Sequence, residues 1–155
     1  RVIIGPNIAI KNLKGLTSDN IMIIKSGEKK NVLNSTIEAI PAYNINKFRS
    51  RDVVFHPKDE GRLGYIITLN KIRIYHAGDT DFIPEIKNLK VDVAILPVSG
   101  TYVMTAEEAS QVTNQIKPKV AIPMHYGSIV GDIHDALKFK KLSKSKVEIL
   151  KKEFN

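Results

Sequence analysis

The sequence contains no cysteine and no tryptophan. Without a thiol there can be no disulfide, thiolate metal centre or cysteine nucleophile. A cysteine-free chain also fits a reducing compartment, so a cytoplasmic location is the expectation. Aromatic residues make up only 6% of the chain, which leaves little of the stacking surface that single-stranded nucleic acid requires. No apolar run approaches the roughly 20 residues needed to cross a bilayer, so no membrane partner is expected. The opening "RVIIGPNIAI" lacks the basic, apolar and small-residue zones of a signal peptide. No repeat, linker or low-complexity tract interrupts the chain, and residues 1–155 read as a single domain long enough to bury a core.

What is present is ordinary in bulk: 43% hydrophobic and 26% charged residues, the proportions of a globular protein. The formal net charge is +8, with Lys138, Lys140, Lys141, Lys144, Lys146, Lys151 and Lys152 crowded toward the C-terminus. Such a balance permits a polyanionic partner such as nucleic acid. The simpler reading, a solvated helix face followed by a basic tail, is preferred. The first residue is Arg1, and the chain enters directly into the apolar run "VII". It therefore reads as a piece of something longer.

The first third is strand-like: "RVIIG", "NIMIIKSG" and "STIEAIPAY" are separated by Gly and Asn turn signals. "NINKFRSRD" has no clear period and reads as a loop. "GYIITLNKIRIYHAG" predicts a hairpin turning at Asn70–Lys71. "TDFIPEIKNLK" reads as a short helix, and "VDVAILPV", apolar without alternation, as a strand covered on both faces. In "TAEEASQVTNQIKP", Thr105 and Glu108 form a capping-box pattern, Ala106, Ala109, Val112 and Ile116 make an apolar stripe, and Pro118 ends the helix. "KVAIPMHYG" reads as a second buried strand, "GDIHDALKFKKL" as a helix and "KVEILK" as a last strand. Strands first, then strand and helix in alternation, predict a layered α/β architecture.

In such architectures chemistry gathers in loops beyond the carboxyl ends of buried strands. Three loops qualify. "VVFHPKDEG" carries His56, "YHAGDTD" carries His76, Asp79 and Asp81, and "PMHYG" carries His125 and Tyr126. Imidazole and carboxylate without thiolate suit zinc, iron or manganese. Each residue also has a plainer reading: Asp79 as the cap of a following helix, Pro123 as a shaper of a strand end, and a lone loop histidine as structural.

"YHAGDTDFIPEI", "VDVAILPVSGTYVMTAEEA" and "AIPMHYG", in that order and spacing, resemble the metallo-β-lactamase superfamily, and within it the UlaG-like branch of metal-dependent hydrolases. "IPAYNINKF" and "FHPKDEGRLGYII" are similar to that branch as well, so the resemblance covers almost the whole chain. It implies an αββα sandwich with the site along one edge between the sheets. By resemblance His56, Asp79 and His125 are metal ligands, with Asp79 the bridging carboxylate, and Asp79 and His125 take part in catalysis. Two ions about 3.5–4 Å apart would share a water and lower its pKa. Zinc is the first choice of metal, with manganese or iron as alternatives. Asn44, Lys47 and Tyr126 are placed in a substrate pocket, with Lys47 meeting an anionic group. His76 is read as structural or supporting, and His134 as an exposed helix residue.

The superfamily's HxHxDH motif is missing: no two of the four histidines are separated by a single residue, and no Asp directly precedes a His. In complete members that motif lies upstream of the point where this chain starts. The expectation is therefore the C-terminal portion of the fold, an incomplete αββα sandwich. Two ligands per ion are fewer than the three a catalytic zinc normally keeps, so the chain alone is expected to bind metal weakly or not at all and to be inactive. An unpaired sheet edge and an uncovered apolar face are expected too, satisfied by self-association or by an N-terminal companion segment. The expected activity is hydrolysis of a phosphoester or lactone-type bond in a small molecule. The competing expectations are a non-catalytic binding or scaffold module on the same fold, and a nucleic-acid-processing hydrolase.

Overall fold

In the computed structural model, which describes residues 2–11, 13 and 21–151, the chain forms one large mixed sheet with helices on one face. Strands β1 (Ile3–Gly5) and β2 (Ile21–Ile23) pair in parallel as a small separate sheet, with the single-turn α1 (Asn7–Ile10) between them. Arg1, Asn20 and Lys152, each part of a segment read from the sequence, lie outside the described residues. Strands β3 (Lys29–Val32) and β4 (Ser35–Pro41) then begin the large sheet, and β5 (Phe48–Ser50) and β6 (Val53–Val54) form a second small ribbon. β7 (Leu63–Leu69) and β8 (Ile72–His76) are the expected hairpin. Asn70 and Lys71 have φ of 49° and 68°, the paired left-handed geometry of a tight hairpin turn.

After β8 the chain alternates strand and helix: β9 (Val93–Pro97), α2 (Ala106–Ile116), β10 (Val120–Met124), α3 (Ile133–Leu142) and β11 (Lys146–Val147). The large sheet runs β11-β10-β9-β8-β7-β4-β3. Its β8 to β11 half is parallel and its β3 to β8 half antiparallel. All the loops that follow the parallel strands therefore leave from one edge.

Helix α2 starts as its sequence requires. The Thr105 hydroxyl accepts from Glu108 N–H, and Glu108 Oε2 accepts from Thr105 N–H at 2.8 Å. Its stripe Ala106, Ala109, Val112 and Ile116 is buried with Tyr75, Ala94, Leu96, Ala121 and Phe139 in the main core. A second cluster, Ile24, Ala39 and Leu63 with Ile4, Ile37 and Tyr65, joins the small parallel sheet to the opposite face near β4 and β7. Farther along that face Ile67, Leu69 and Ile72 stay 36%, 45% and 50% exposed. An apolar patch is thus left open to solvent beside the β7–β8 turn, and among the described residues β3 is the last strand at its end of the sheet.

Three readings of the sequence need correction. "NINKFRSRD" is not loop throughout, because Asp52, at φ 60°, turns the chain back and lets β5 pair with β6. "TDFIPEIKNLK" forms only a 3₁₀ turn at Pro84–Ile86, since Asp81 is committed to a neighbouring loop and Ile83 and Ile86 are pinned in the core. "KVEILK" is a strand only at Lys146–Val147; Ile149 packs against the core after the pairing ends.

Candidate metal centre

Asp79 sits just beyond β8, where the chain leaves the sheet through Gly78. That glycine has φ +67°, and a Cβ there would lie 2.9 Å from Leu63 O. Both the dihedral and the close approach require glycine. The Asp79 carboxylate is 40% exposed, with Oδ1 3.4 Å from His125 Nδ1 and Oδ2 3.6 Å from His56 Nε2. The three sequence-predicted ligands converge, each carboxylate oxygen facing one imidazole.

His125 follows β10, and its backbone is left-handed at φ 58°. A non-glycine residue held there costs about 1–3 kcal/mol and tends to mark a functional turn. His56 is held differently. Asn44 N–H donates to His56 O (2.8 Å), and His56 N–H donates to Asn44 Oδ1 (2.9 Å). The Asn44 amide nitrogen donates in turn to Asp81 Oδ1 (3.0 Å) and to Tyr102 O (2.8 Å). Asp81, 2% exposed, also accepts from Ile45 N–H (2.6 Å) and Asn46 N–H (3.0 Å). The loop over residues 43–47 is therefore wrapped on one buried carboxylate, and that loop fixes the backbone that carries His56.

The His56 ring is the electrostatic anomaly. Its side chain is 13% exposed, and neither ring nitrogen has a hydrogen-bond partner. Burial, with the nearby Arg62 charge, holds its pKa below the usual 6.5, so the neutral ring is favoured. Neutral imidazole is the form that binds a metal. Both His–Asp separations are long for an N–H···O hydrogen bond. They match two donors on one tetrahedral ion, which at about 2.0–2.1 Å from the ion stand about 3.4 Å apart. The donor set therefore fits a divalent cation. It is an open set: among the described residues no three His, Asp or Glu side chains close on a single point as a complete metal site would.

The other candidates divide. The His76 Nδ1 accepts from Gly78 N–H at 3.2 Å, and burial with the His125 charge lowers its pKa. His134 is exposed on α3. Tyr126 lines two cavities together with His125. Asn44 and Lys47, expected in a substrate pocket, are each engaged with groups of the protein itself. Asn44 is 4% exposed, with its amide spent inside the protein. The Lys47 ammonium meets anions of its own chain, Glu108 at 2.8 Å and Asp81 at 3.5 Å. Burial alone would raise the Glu108 pKa, yet Lys47 with Thr105 and Asn46 holds it below the usual 4.5. The sequence pointed to Asp81 as a loop carboxylate but not to its organising role. The spacing of Asn44, Lys47 and Asp81 carries no sign of it.

The chain matches the family model of the β-lactamase superfamily domain over residues 7–125. A UPF0173 metal-dependent hydrolase of Pyrococcus furiosus is 40% identical over 95 residues, 57% of this chain and 42% of that protein. One of Staphylothermus marinus is 38% identical over 106 residues, 63% of this chain and 46% of that protein. The chain thus spans about half the length of the curated relatives it matches. Among solved structures, a candidate metal-dependent hydrolase from Parabacteroides distasonis superposes with TM-score 0.78 at 33% identity, over 96% of this chain and 63% of that one. Igni18, a metallo hydrolase of Ignicoccus hospitalis, superposes with TM-score 0.72 over 99% of this chain and 70% of that one, and at 24% identity shares the fold alone.

Proposed function

This chain belongs to the metallo-β-lactamase superfamily, and from that premise we propose that it carries part of the centre of a metal-dependent hydrolase of the UlaG-like branch. The observation that supports this reading is the Asp79 carboxylate between two imidazoles, at separations suited to shared cations. His56 and His125 would each hold a cation through one ring nitrogen, with Asp79 between them. Zinc suits this nitrogen and oxygen set best, with manganese or iron as alternatives. A divalent cation held there supplies Lewis acidity, lowering the pKa of a water and offsetting negative charge as the scissile centre is attacked.

The residues of the chain have defined parts in this reading. The buried, neutral His56 keeps its lone pair available, and Asn44 fixes the backbone beneath it. Gly78 turns Asp79 out of the sheet, and the left-handed turn at His125 brings its ring to the same carboxylate. Substrates are small molecules with a phosphoester or lactone-type bond. Three donors give two ligands per ion, fewer than a catalytic zinc keeps, so this chain by itself binds metal weakly and turns over little. Further donors would come from an N-terminal companion segment or from association with a second chain. The open patch at Ile67, Leu69 and Ile72 supports such association.

A second reading rests on the open donor set: a non-catalytic binding module that keeps the fold. Metal analysis separates the two. Zinc bound by the wild type and lost in His56→Ala, Asp79→Ala and His125→Ala supports the hydrolase. Stoichiometric zinc that survives all three substitutions removes the basis for it, and a protein that takes up no zinc and stays inert toward phosphodiesters and lactones even when an N-terminal companion segment is supplied favours the binding module.

A further inference from the structure

Three side chains outside the metal centre join the loop that carries His56 to the loop that carries Asp79. Tyr43, just beyond β4, is 9% exposed. Its backbone is bonded to the Asp79 side. Tyr43 N–H donates to the Thr80 hydroxyl at 3.2 Å, that oxygen stands 3.1 Å from Tyr43 O, and Asp81 N–H donates to Tyr43 O at 2.9 Å. Thr80 is fully buried and directly follows Asp79. The Tyr43 side chain is bonded to the His56 side. Its hydroxyl donates to Glu85 Oε2 at 2.9 Å, and the other oxygen of that carboxylate holds the Lys58 ammonium at 2.7 Å. The same ammonium lies 4.8 Å from the centre of the Tyr43 ring and 3.5 Å from its hydroxyl. Burial and the Glu85 carboxylate keep the Tyr43 hydroxyl above its usual pKa of 10, so it stays protonated and remains a donor.

Lys58 is coupled stiffly to His56. Only Pro57 separates them, its φ fixed at −63°, and Lys58 opens the 3₁₀ turn Lys58–Glu60, in which Glu60 N–H donates to Pro57 O at 3.2 Å. Anchoring the ammonium therefore limits the swing of the turn that follows His56. An exposed Lys–Glu pair contributes little by itself, and the Lys58 side chain is 63% exposed. Here the same carboxylate also holds a buried phenol, whose backbone is tied to the residue after Asp79.

We propose that Tyr43, Glu85 and Lys58 are positioning residues that set the separation of His56 and Asp79, 3.6 Å from Nε2 to Oδ2. The inference rests on the hydrolase reading for what that separation serves, and on the bonds alone for the strap. It is distinct from the hold that Asn44 exerts. Asn44 grips the His56 amide from inside the fold, whereas the strap restrains the next turn from the surface.

The test compares Tyr43→Phe, Glu85→Ala, Lys58→Met and Lys58→Arg in the full chain, with Lys87→Met as the control. Lys87 is exposed on the same stretch as Glu85, and its ammonium lies 5.7 Å from the Phe82 ring. Amide hydrogen exchange is measured first, in zinc-free protein. Exchange at His56, Glu60 and Gly61 should rise roughly three- to tenfold in Tyr43→Phe and Glu85→Ala, the size of one hydrogen bond. Zinc titration followed at the His56 ring comes second. The same two variants, still folded by their melting curves, should need roughly three- to tenfold more zinc. Lys58→Met should move both readouts in that direction, Lys58→Arg should restore them, and Lys87→Met should leave them unchanged. A lowered melting temperature with exchange and zinc affinity unchanged would mean the cluster serves stability alone, and overturns the proposal. So does a Lys87→Met effect as large as that of Tyr43→Phe. Raised exchange in a chain whose wild type takes up no zinc at His56 overturns the hydrolase reading and keeps the strap.

Discussion

Replacing Asn44 by alanine tests how the site is held. The side chain is 4% exposed and makes three hydrogen bonds: it accepts from His56 N–H and donates to Asp81 Oδ1 and Tyr102 O. Truncation takes from the part-buried His56 amide and Tyr102 carbonyl the partner each has here. Each such orphan costs about 1–3 kcal/mol. Asp81 keeps the Ile45 and Asn46 amides and the Lys47 charge, so its loss is smaller. The sum is about 2–4 kcal/mol, which in a chain of this size lowers the melting temperature by about 5–15 °C. Thermal unfolding followed by circular dichroism reads that shift directly. Because the same bonds fix the backbone under His56, zinc affinity should fall about 10–100-fold in protein that is still folded. Asn46→Ala is the control, since that exposed side chain makes its bonds at the surface, donating to Glu108 at 3.2 Å and accepting from Lys47 Nζ at 2.6 Å, and should cost less than about 1 kcal/mol. A melting temperature for Asn44→Ala matching that of Asn46→Ala would refute the clamp.

Other consequences follow from the same geometry. Lys47→Met removes the cation between Glu108 and Asp81, and urea unfolding should show a loss of about 1–3 kcal/mol. Stability of the metal-free chain should depend on pH through His56 and His76, both held below their usual 6.5 by burial. Between the lowered folded values and 6.5 the unfolded chain binds more protons, so stability is fully present above 6.5 and declines as the pH falls through that window. Urea midpoints measured in EDTA across that range should show the decline, and His56→Asn should reduce it. Replacing Ile67, Leu69 and Ile72 together by serine should shift the chain toward monomer in sedimentation experiments if the open face mediates association, and an unchanged distribution counts against that role.

Where a local rule governs an element, the sequence was a good guide. Thr105 and Glu108 placed the start of α2, Asn70–Lys71 placed the hairpin, and the unbroken apolar runs placed β9 and β10. It misled where tertiary contacts override local preference. The segment after Asp79 does not become a helix, because Thr80 and Asp81 are bonded to residues 43–46 across the fold. Asn44 and Lys47 were legible as polar loop residues, but which way they point depends on Asp81 and Glu108, distant in sequence. His56, Asp79 and His125 were singled out through the resemblance that their ordered motifs carry, whereas the left-handed turn at His125 and the exposure of Ile129 have no pattern in the chain.

The claim on which the function depends is that His56, Asp79 and His125 share bound metal. Titrating the full chain with zinc, while following the histidine ring nitrogens by long-range ¹H–¹⁵N NMR, tests it most directly. The account predicts that the His56 and His125 rings shift together with one saturation curve, that His134 does not move, and that Asp79→Ala abolishes both shifts. Zinc that leaves those two rings unchanged, or shifts them equally in Asp79→Ala, would contradict it.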